Sequence, residues 1–169
     1  LNSIGSAEIR PAYLKTLRSS VRKIENDLCK ICQTRIENNA LRLFDCKNSQ
    51  CQQLLDEYAP IIFESISDDD QTHFDMVTHI LNEMDIPFFH DKKLVRGLDY
   101  YSHTTFEITS SALGAQDALC GGGRYNGLIE QLGGKSTPAV GFAAGVERLM
   151  LTIDKQESSV KPPDIYIVH

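Results

Sequence analysis

The hydrophobic pattern of this chain changes character near residue 90, and that change decides its fold class. Before it, Ile9, Tyr13, Leu14, Leu17, Val21, Ile24 and Leu28 recur at three- and four-residue spacing, with Arg and Lys between them. Pro11 suits the first turn, where a missing N–H costs nothing, so the spacing predicts an amphipathic helix of roughly five turns. A shorter helix is expected from Ser49 to Tyr58, stopping before Pro60. A third follows the acidic Ser67-Asp68-Asp69-Asp70 start, with Phe74, Val77, Ile80, Leu81 and Met84 on one face. Residues 29–48 read as polar and irregular. After residue 90 the texture is that of strands: Leu94-Val95 leading into Arg96–Tyr101, β-branched Thr104–Thr109, a return strand from Ala118, and Pro138–Phe142. All but one of the 11 glycines fall in this half. Gly121-Gly122-Gly123 is expected to end the return strand, with a short helix from Tyr125 to Leu132 closed by Gly133-Gly134. Gly145 opens a last helix. Helices followed by strands make an α+β fold with an antiparallel sheet, not the alternation of a parallel one.

Composition adds limits. With 41% hydrophobic residues the 169-residue chain buries a core and is not disordered. No uncharged apolar run is long enough to span a membrane, and no basic stretch precedes an apolar one at the start. The net charge of -6 is unevenly spread: 9 basic against 5 acidic residues over 1–52, 3 against 11 over 53–99, and 5 against 7 over 100–169. Overall acidity argues against a general nucleic-acid coat, while the basic first third is either a solvated helix face or a surface that meets phosphates. Five cysteines, with no secretory signal, suit reduced thiols in the cytoplasm. The absent initiator Met and the final Asp164–His169, which reads as a strand cut midway, lead us to expect a piece of a longer protein.

Five stretches are candidates for chemistry, and the first of them fails. Gly133-Gly134-Lys135-Ser136 resembles the end of a phosphate-binding P-loop, but the first glycine of that motif would fall at Ile129, so the reading fails. In Leu94–Tyr101, Arg96 and Asp99 sit among residues that look buried. They are either a structural ion pair or, for Arg96, a receiver of an anionic ligand. Extended, Tyr100 and Tyr101 would point to opposite faces. Three successive glycines at 121–123 permit close approach of a planar ligand or an anion, while Cys120 reads as a small buried residue. Gly141–Arg148 joins a small-residue strand to a helix. Arg148 beside that slot either stacks on a base, pairs with phosphate, or reaches solvent. Finally, Cys29-x-x-Cys32 with Cys46 and Cys51 has a spacing suited to a tetrahedral zinc site of four thiolates, or else these are incidental thiols. His73 and His79, six apart, read as ordinary helix residues.

Taken together, Leu94–Tyr101, Gly121–Tyr125 with Gly127-Leu128, and Pro138–Leu149 resemble the histidyl-tRNA synthetases, which are class II aminoacyl-tRNA synthetases. The first stretch resembles that family's histidine signature and the last its third class II motif. Leu1–Gly5 and Asn39–Lys47 resemble its insertion region. The resemblance implies activation of histidine by ATP with Mg2+ and transfer to tRNA(His), in a cytoplasmic homodimer with no membrane partner. It makes Arg96 the catalytic arginine, contacting both the α-phosphate and the histidine carboxylate. Tyr100, Tyr101, Gly121, Gly122, Gly123 and Tyr125 would bind histidine. Glu107 and Arg148 would join Arg96 at ATP.

The same resemblance implies an order of segments: 1–8 the end of a core strand, 9–90 a helical insertion, 91–155 the second half of a catalytic core, and 156–169 a linker entering an anticodon-binding domain. The family's first two motifs would precede Leu1, so the isolated chain is expected to be inactive in adenylation. Asn126 and Ala40 stand where acidic and proline residues are commoner. A synthetase-like regulatory or sensing module, without catalysis, is the alternative.

Overall fold

The computed structural model describes residues 1–114 and 117–153. The linker reading of 156–169 lies outside them. The described residues divide into two compact units: unit one holds residues 1–106 and 122–141, unit two holds 107–114, 117–121 and 142–153.

Unit one begins with β1 (Asn2–Ser3), then α1 (Arg10–Val21), whose Pro11 stands in its first turn and whose Tyr13, Leu17 and Val21 are buried. The expected five-turn helix tightens after Val21 into a 3-10 segment, Arg22–Asp27, which keeps Ile24 in the core. Residues 29–48 correct the sequence reading. They fold into α2 (Lys30–Asn38) and a 3-10 turn, Ala40–Asp45, and bury Cys32, Ile36, Leu41, Leu43 and Phe44. Next comes α3 (Ser49–Tyr58), capped by the Asn48 side chain, which accepts from the Cys51 N–H, and ended before Pro60 as expected. The Tyr13 hydroxyl donates to the Pro60 carbonyl at 2.8 Å and ties α1 to the chain beyond α3. Leu17, Ile36, Leu43, Leu55 and Ile62 are essentially inaccessible; cutting any one to alanine costs about 2–5 kcal/mol.

α4 (Asp68–Glu83) starts on a capping box in which the Ser67 hydroxyl accepts from the Asp70 N–H and Asp70 accepts from the Ser67 N–H. The strand expected over Leu94–Tyr101 is absent; that stretch is a loop. The strands that follow are β2 (Ser102–Thr109), β3 (Ala118–Tyr125) and β4 (Ala139–Ala144), with α5 (Leu128–Gln131) between the last two. The sheet order is β1-β2-β3-β4, and β1 runs antiparallel to β2 with Asn2 opposite Thr105 and Ser3 opposite Thr104. The fold is thus α+β with an antiparallel four-stranded sheet. Gly121–Gly123 lie inside β3 rather than ending it, so Tyr125 is the last residue of a strand and α5 is shorter than expected.

In unit two the Ser110 N–H donates to Asp117 O, and the Gly145 N–H to Leu119 O, before α6 (Val146–Ile153). No helix among the described residues is long and apolar enough to cross a membrane.

Candidate functional site

The loop 94–101 is held by side chains distant in sequence. Asn2, fully buried, donates its amide N–H groups to the carbonyls of Lys92 and Leu94, while its side-chain oxygen lies 3.2 Å from His90 Nε2. Arg10 at the start of α1 donates through both terminal nitrogens, one to Asp99 O and one to Tyr101 O. Burial pulls the Arg10 guanidinium below its ordinary value, and Asp99 offsets this. From α2 and its 3-10 turn, Asn39 Nδ2 reaches the Asp99 carboxylate at 3.5 Å, and Arg42 lies over Gly97. Asp99 is exposed, which corrects its expected place among buried residues.

So held, the loop brings its two tyrosines together beside a third from β3. The Tyr100 and Tyr101 rings lie 4.3 Å apart between centroids, and the Tyr100 hydroxyl donates to that of Tyr101 at 3.1 Å. They share one side, contrary to the expectation from extended backbone, because the loop turns between them. The shared hydrogen bond holds the Tyr100 hydroxyl above its ordinary value. Tyr125, at the end of β3, meets Tyr100 edge-on at 5.5 Å and Tyr101 at 6.3 Å. Such pairs are worth about 0.5–1.5 kcal/mol each beyond the area they bury. The Arg96 guanidinium carbon lies over the Tyr101 ring, 5.9 Å from its centroid. A planar fork resting on a ring face is pre-oriented, and its shape matches a carboxylate or a phosphate. Chemically, the cluster offers one cation and three phenols within a few ångströms.

The glycines set how closely these groups approach the sheet. A Cβ on Gly123 would fall 2.8 Å from the Thr104 carbonyl oxygen and 2.9 Å from Tyr101 Cδ1; one on Gly141 would fall 2.6 Å from the Tyr125 hydroxyl oxygen. Gly122 is buried beside Gly123. Arg96, Tyr100, Tyr101, Gly122, Gly123 and Tyr125 all belong to unit one.

Gly121, Glu107 and Arg148 belong to unit two. There Arg148 folds back over Gly145, whose Cβ would lie 3.1 Å from Arg148 Cδ, and donates to the Ala118 carbonyl at 2.9 Å. Glu107 is half-buried in β2, and Cys120 is buried in β3.

A second cluster stands in the helical segment. The Sγ atoms of Cys29, Cys32, Cys46 and Cys51 all lie within 4.8 Å of one another, with Cys29 and Cys46 at 3.9 Å. All are free thiols, and only Cys29 is more than slightly exposed. The Cys32 backbone N–H holds the Cys29 thiol down at about 7, whereas burial pushes Cys32 and Cys51 up.

Sequence reasoning missed Arg10, whose place at the start of an amphipathic helix gave no sign of the loop it holds. It also missed a group at the head of α4. The Asp70 carboxylate accepts from the Ser6 N–H, the Ser67 hydroxyl and the Ser67 N–H, and lies 2.8 Å from His103 Nδ1. His103 takes a φ of 52° within β2, a conformation costing a side-chain-bearing residue about 1–3 kcal/mol. The His73 ring lies 5.4 Å from that of His103, and Arg124 Nη1 is 3.4 Å from His73 Nε2. Burial, then Arg124, pulls His73 below its ordinary value. The one legible signal was the Ser67-x-x-Asp70 spacing.

Comparison with known proteins gives a consistent set. A family model described as histidyl-tRNA synthetase matches residues 7–149. A histidine–tRNA ligase of Dehalococcoides mccartyi is 47% identical over 165 residues, covering 98% of this chain and 39% of that relative. One from Halothermothrix orenii is 45% identical over 173 residues, covering 99% and 41%. The crystal structure of apo S. aureus histidyl-tRNA synthetase superposes with a TM-score of 0.66 at 33% identity, covering 90% of this chain and 37% of that one. The chain therefore spans about two-fifths of the length of these curated relatives.

Proposed function

The chain belongs to the histidyl-tRNA synthetase family, and from that membership we propose that it supplies the histidine pocket, and part of the nucleotide site, of an enzyme that joins histidine to tRNA(His). The observation that carries this reading is Arg96 lying over Tyr101, beside Tyr100 and Tyr125, in a loop held from two other elements. In activation, a histidine carboxylate oxygen bonds to the α-phosphorus of ATP. The bond to the bridging oxygen breaks, and pyrophosphate leaves with that electron pair. Charge accumulates on the α-phosphoryl oxygens as this happens, and a pre-oriented guanidinium at Arg96 stabilises it while holding the carboxylate. Bound Mg2+ supplies neutralisation of the ATP phosphates. In transfer, a hydroxyl of the terminal adenosine of tRNA(His) attacks the histidyl carbonyl carbon, and AMP departs.

Selectivity for histidine falls to Tyr101 and Tyr125, whose hydroxyls pair with the imidazole nitrogens. An amino acid without ring nitrogens leaves those hydroxyls unpaired, a penalty worth several orders of magnitude in a site built this way. Tyr100 fixes the Tyr101 hydroxyl through their shared hydrogen bond. Gly121, Gly122 and Gly123 form the pocket floor, and Glu107 and Arg148 contact ATP. On our reading the segments are 1–8 core strand, 9–90 insertion facing tRNA with its basic first part, 91–155 class II catalytic core, and 156–169 linker. The enzyme works as a cytoplasmic homodimer, a setting that suits five free thiols.

The test is Arg96→Ala in the protein at its natural length. Histidine-dependent ATP–pyrophosphate exchange is lost while most histidine binding survives. Exchange at the normal rate in that variant would refute the role of Arg96. Histidine binding without any exchange in the unmodified protein would favour a sensing module instead.

A further inference from the structure

The four cysteines of the helical segment do no work in histidine activation, yet they converge. They come from three elements: Cys29 caps α2, Cys32 lies in its first turn, Cys46 ends the 3-10 turn, and Cys51 lies in the first turn of α3. We propose that these four thiols bind one zinc ion as a closed, structural tetrathiolate centre that staples α2, the 3-10 turn and α3 together.

Geometry supports the assignment first. A tetrahedron with Zn–S bonds of about 2.3 Å separates its sulfurs by about 3.8 Å. Here the Cys29 and Cys46 sulfurs stand 3.9 Å apart and no pair exceeds 4.8 Å. Contraction by an ångström at most completes the shell. The sulfurs are already solvated by the backbone: the Cys29 N–H donates to Cys51 Sγ at 3.2 Å and the Asn48 N–H to Cys46 Sγ at 3.5 Å. Donors aimed at sulfur stabilise a bound thiolate and orient it.

The loops that carry the sulfurs are braced as ligand loops need to be. Gln52 Nε2 donates to the carbonyls of Phe44 and Cys46, and Gln33 Nε2 to those of Glu25 and Leu28. One glutamine thus fixes each approach to the cluster. Four thiolates around a divalent cation leave two negative charges, and residues 1–52 carry 9 basic against 5 acidic side chains to offset them. All-sulfur tetrahedral donors select zinc or an iron–sulfur centre, and four protein ligands leave no open position for a substrate. On binding, each thiol gives its proton to solvent and no redox step is needed.

The experiment is metal analysis of the protein at natural length, purified without chelator, given excess zinc and freed of loosely bound metal. One zinc per chain is expected, and X-ray absorption should show four sulfurs at about 2.3 Å. Cys32→Ser with Cys51→Ser should remove that equivalent. If the double variant fails to fold, absorption on the unmodified protein still decides. Folded protein holding well under one zinc per chain overturns the proposal. So does a shell containing nitrogen or oxygen, or iron in place of zinc. Each readout is independent of histidine activation, so the function proposed above can fail while this stands.

Discussion

Replacing Gly123 by alanine tests whether the sheet, and not only the loop, shapes the tyrosine cluster. The new methyl would meet the Thr104 carbonyl oxygen at 2.8 Å, Tyr101 Cδ1 at 2.9 Å and Thr105 Cα at 3.2 Å. Two of these are backbone atoms of β2, and that backbone is paired on its other side, Thr104 with Ser3 and Thr105 with Asn2. The strand cannot retreat without opening that pairing. Tyr101 is buried, and moving its ring would break its contacts with Tyr100 and Arg96. Overpacking of this kind costs about 1–3 kcal/mol. Urea denaturation of Gly123→Ala should give a lower midpoint at unchanged slope. If Tyr101 takes up the strain, KM for histidine in the protein at its natural length, on the function proposed above, rises by about 5- to 150-fold, the same energy read as affinity. Gly127→Ala is the control: its methyl meets nothing nearer than Gln131 Nε2 at 3.6 Å, and both readings should stay near the parent. A Gly123→Ala protein with parental stability and KM would show that β2 and β3 do not fix Tyr101.

Two further outcomes follow from the same contacts. Arg10→Met keeps the aliphatic stem but leaves the Asp99 and Tyr101 carbonyls without their charged donor, a loss of about 1.5–3 kcal/mol in denaturation, with KM for histidine raised. Arg10→Lys reaches one carbonyl and should fall between, whereas a neutral Arg10→Met would sink the bracing role. Asp70→Asn should cost about 1–3 kcal/mol at neutral pH. Burial raises the Asp70 carboxyl, but the Ser6 N–H, the Ser67 hydroxyl and N–H, and His103 outweigh it and hold the group below its ordinary value. Its contribution is therefore present above pH ~3.9 and lost as pH falls through the lower folded value. The gap between parent and variant should close in acid; a gap that persists at pH ~2 refutes the assignment.

What the sequence revealed and what it hid divide by range of interaction. Helix starts and stops are local, and they were legible: Pro11 in the first turn of α1, Pro60 just past α3, and the Ser67–Asp70 box before α4. β2 was legible because β-branched residues repeat over its length. Residues 29–48 were not. Their core positions, Cys32, Ile36, Leu41, Leu43 and Phe44, are split between a nine-residue helix and a 3-10 turn, and neither is long enough to show a period. The loop 94–101 was misread as a strand because its shape comes from Asn2 and Arg10, about 90 residues away. Apolar and aromatic content set a strand expectation there, and distant hydrogen bonds overrode it. The side-by-side tyrosines follow from that override.

The helical segment is therefore part of how the tyrosine cluster is made. Arg10, Asn39 and Arg42, all from that segment, reach the stretch Gly97–Tyr101, and nothing in their own helices requires them to. Asn39 and Arg42 sit on the connection between Cys32 and Cys46, two of the four converging thiols. Whatever fixes that connection fixes two of the three side chains by which the helical segment reaches the loop. A 3-10 turn with its poorer hydrogen-bond geometry is a weak platform by itself. It becomes a firm one when Leu41, Leu43 and Phe44 are packed beneath it and its C-terminal end is pinned through Cys46. Loss of the pin should thus loosen the loop before it unfolds the core, because the exposed Asn39–Asp99 contact at 3.5 Å is far weaker than the burial of Leu43. On the function proposed above, the expected order of failure in the protein at its natural length is histidine affinity first and global stability second.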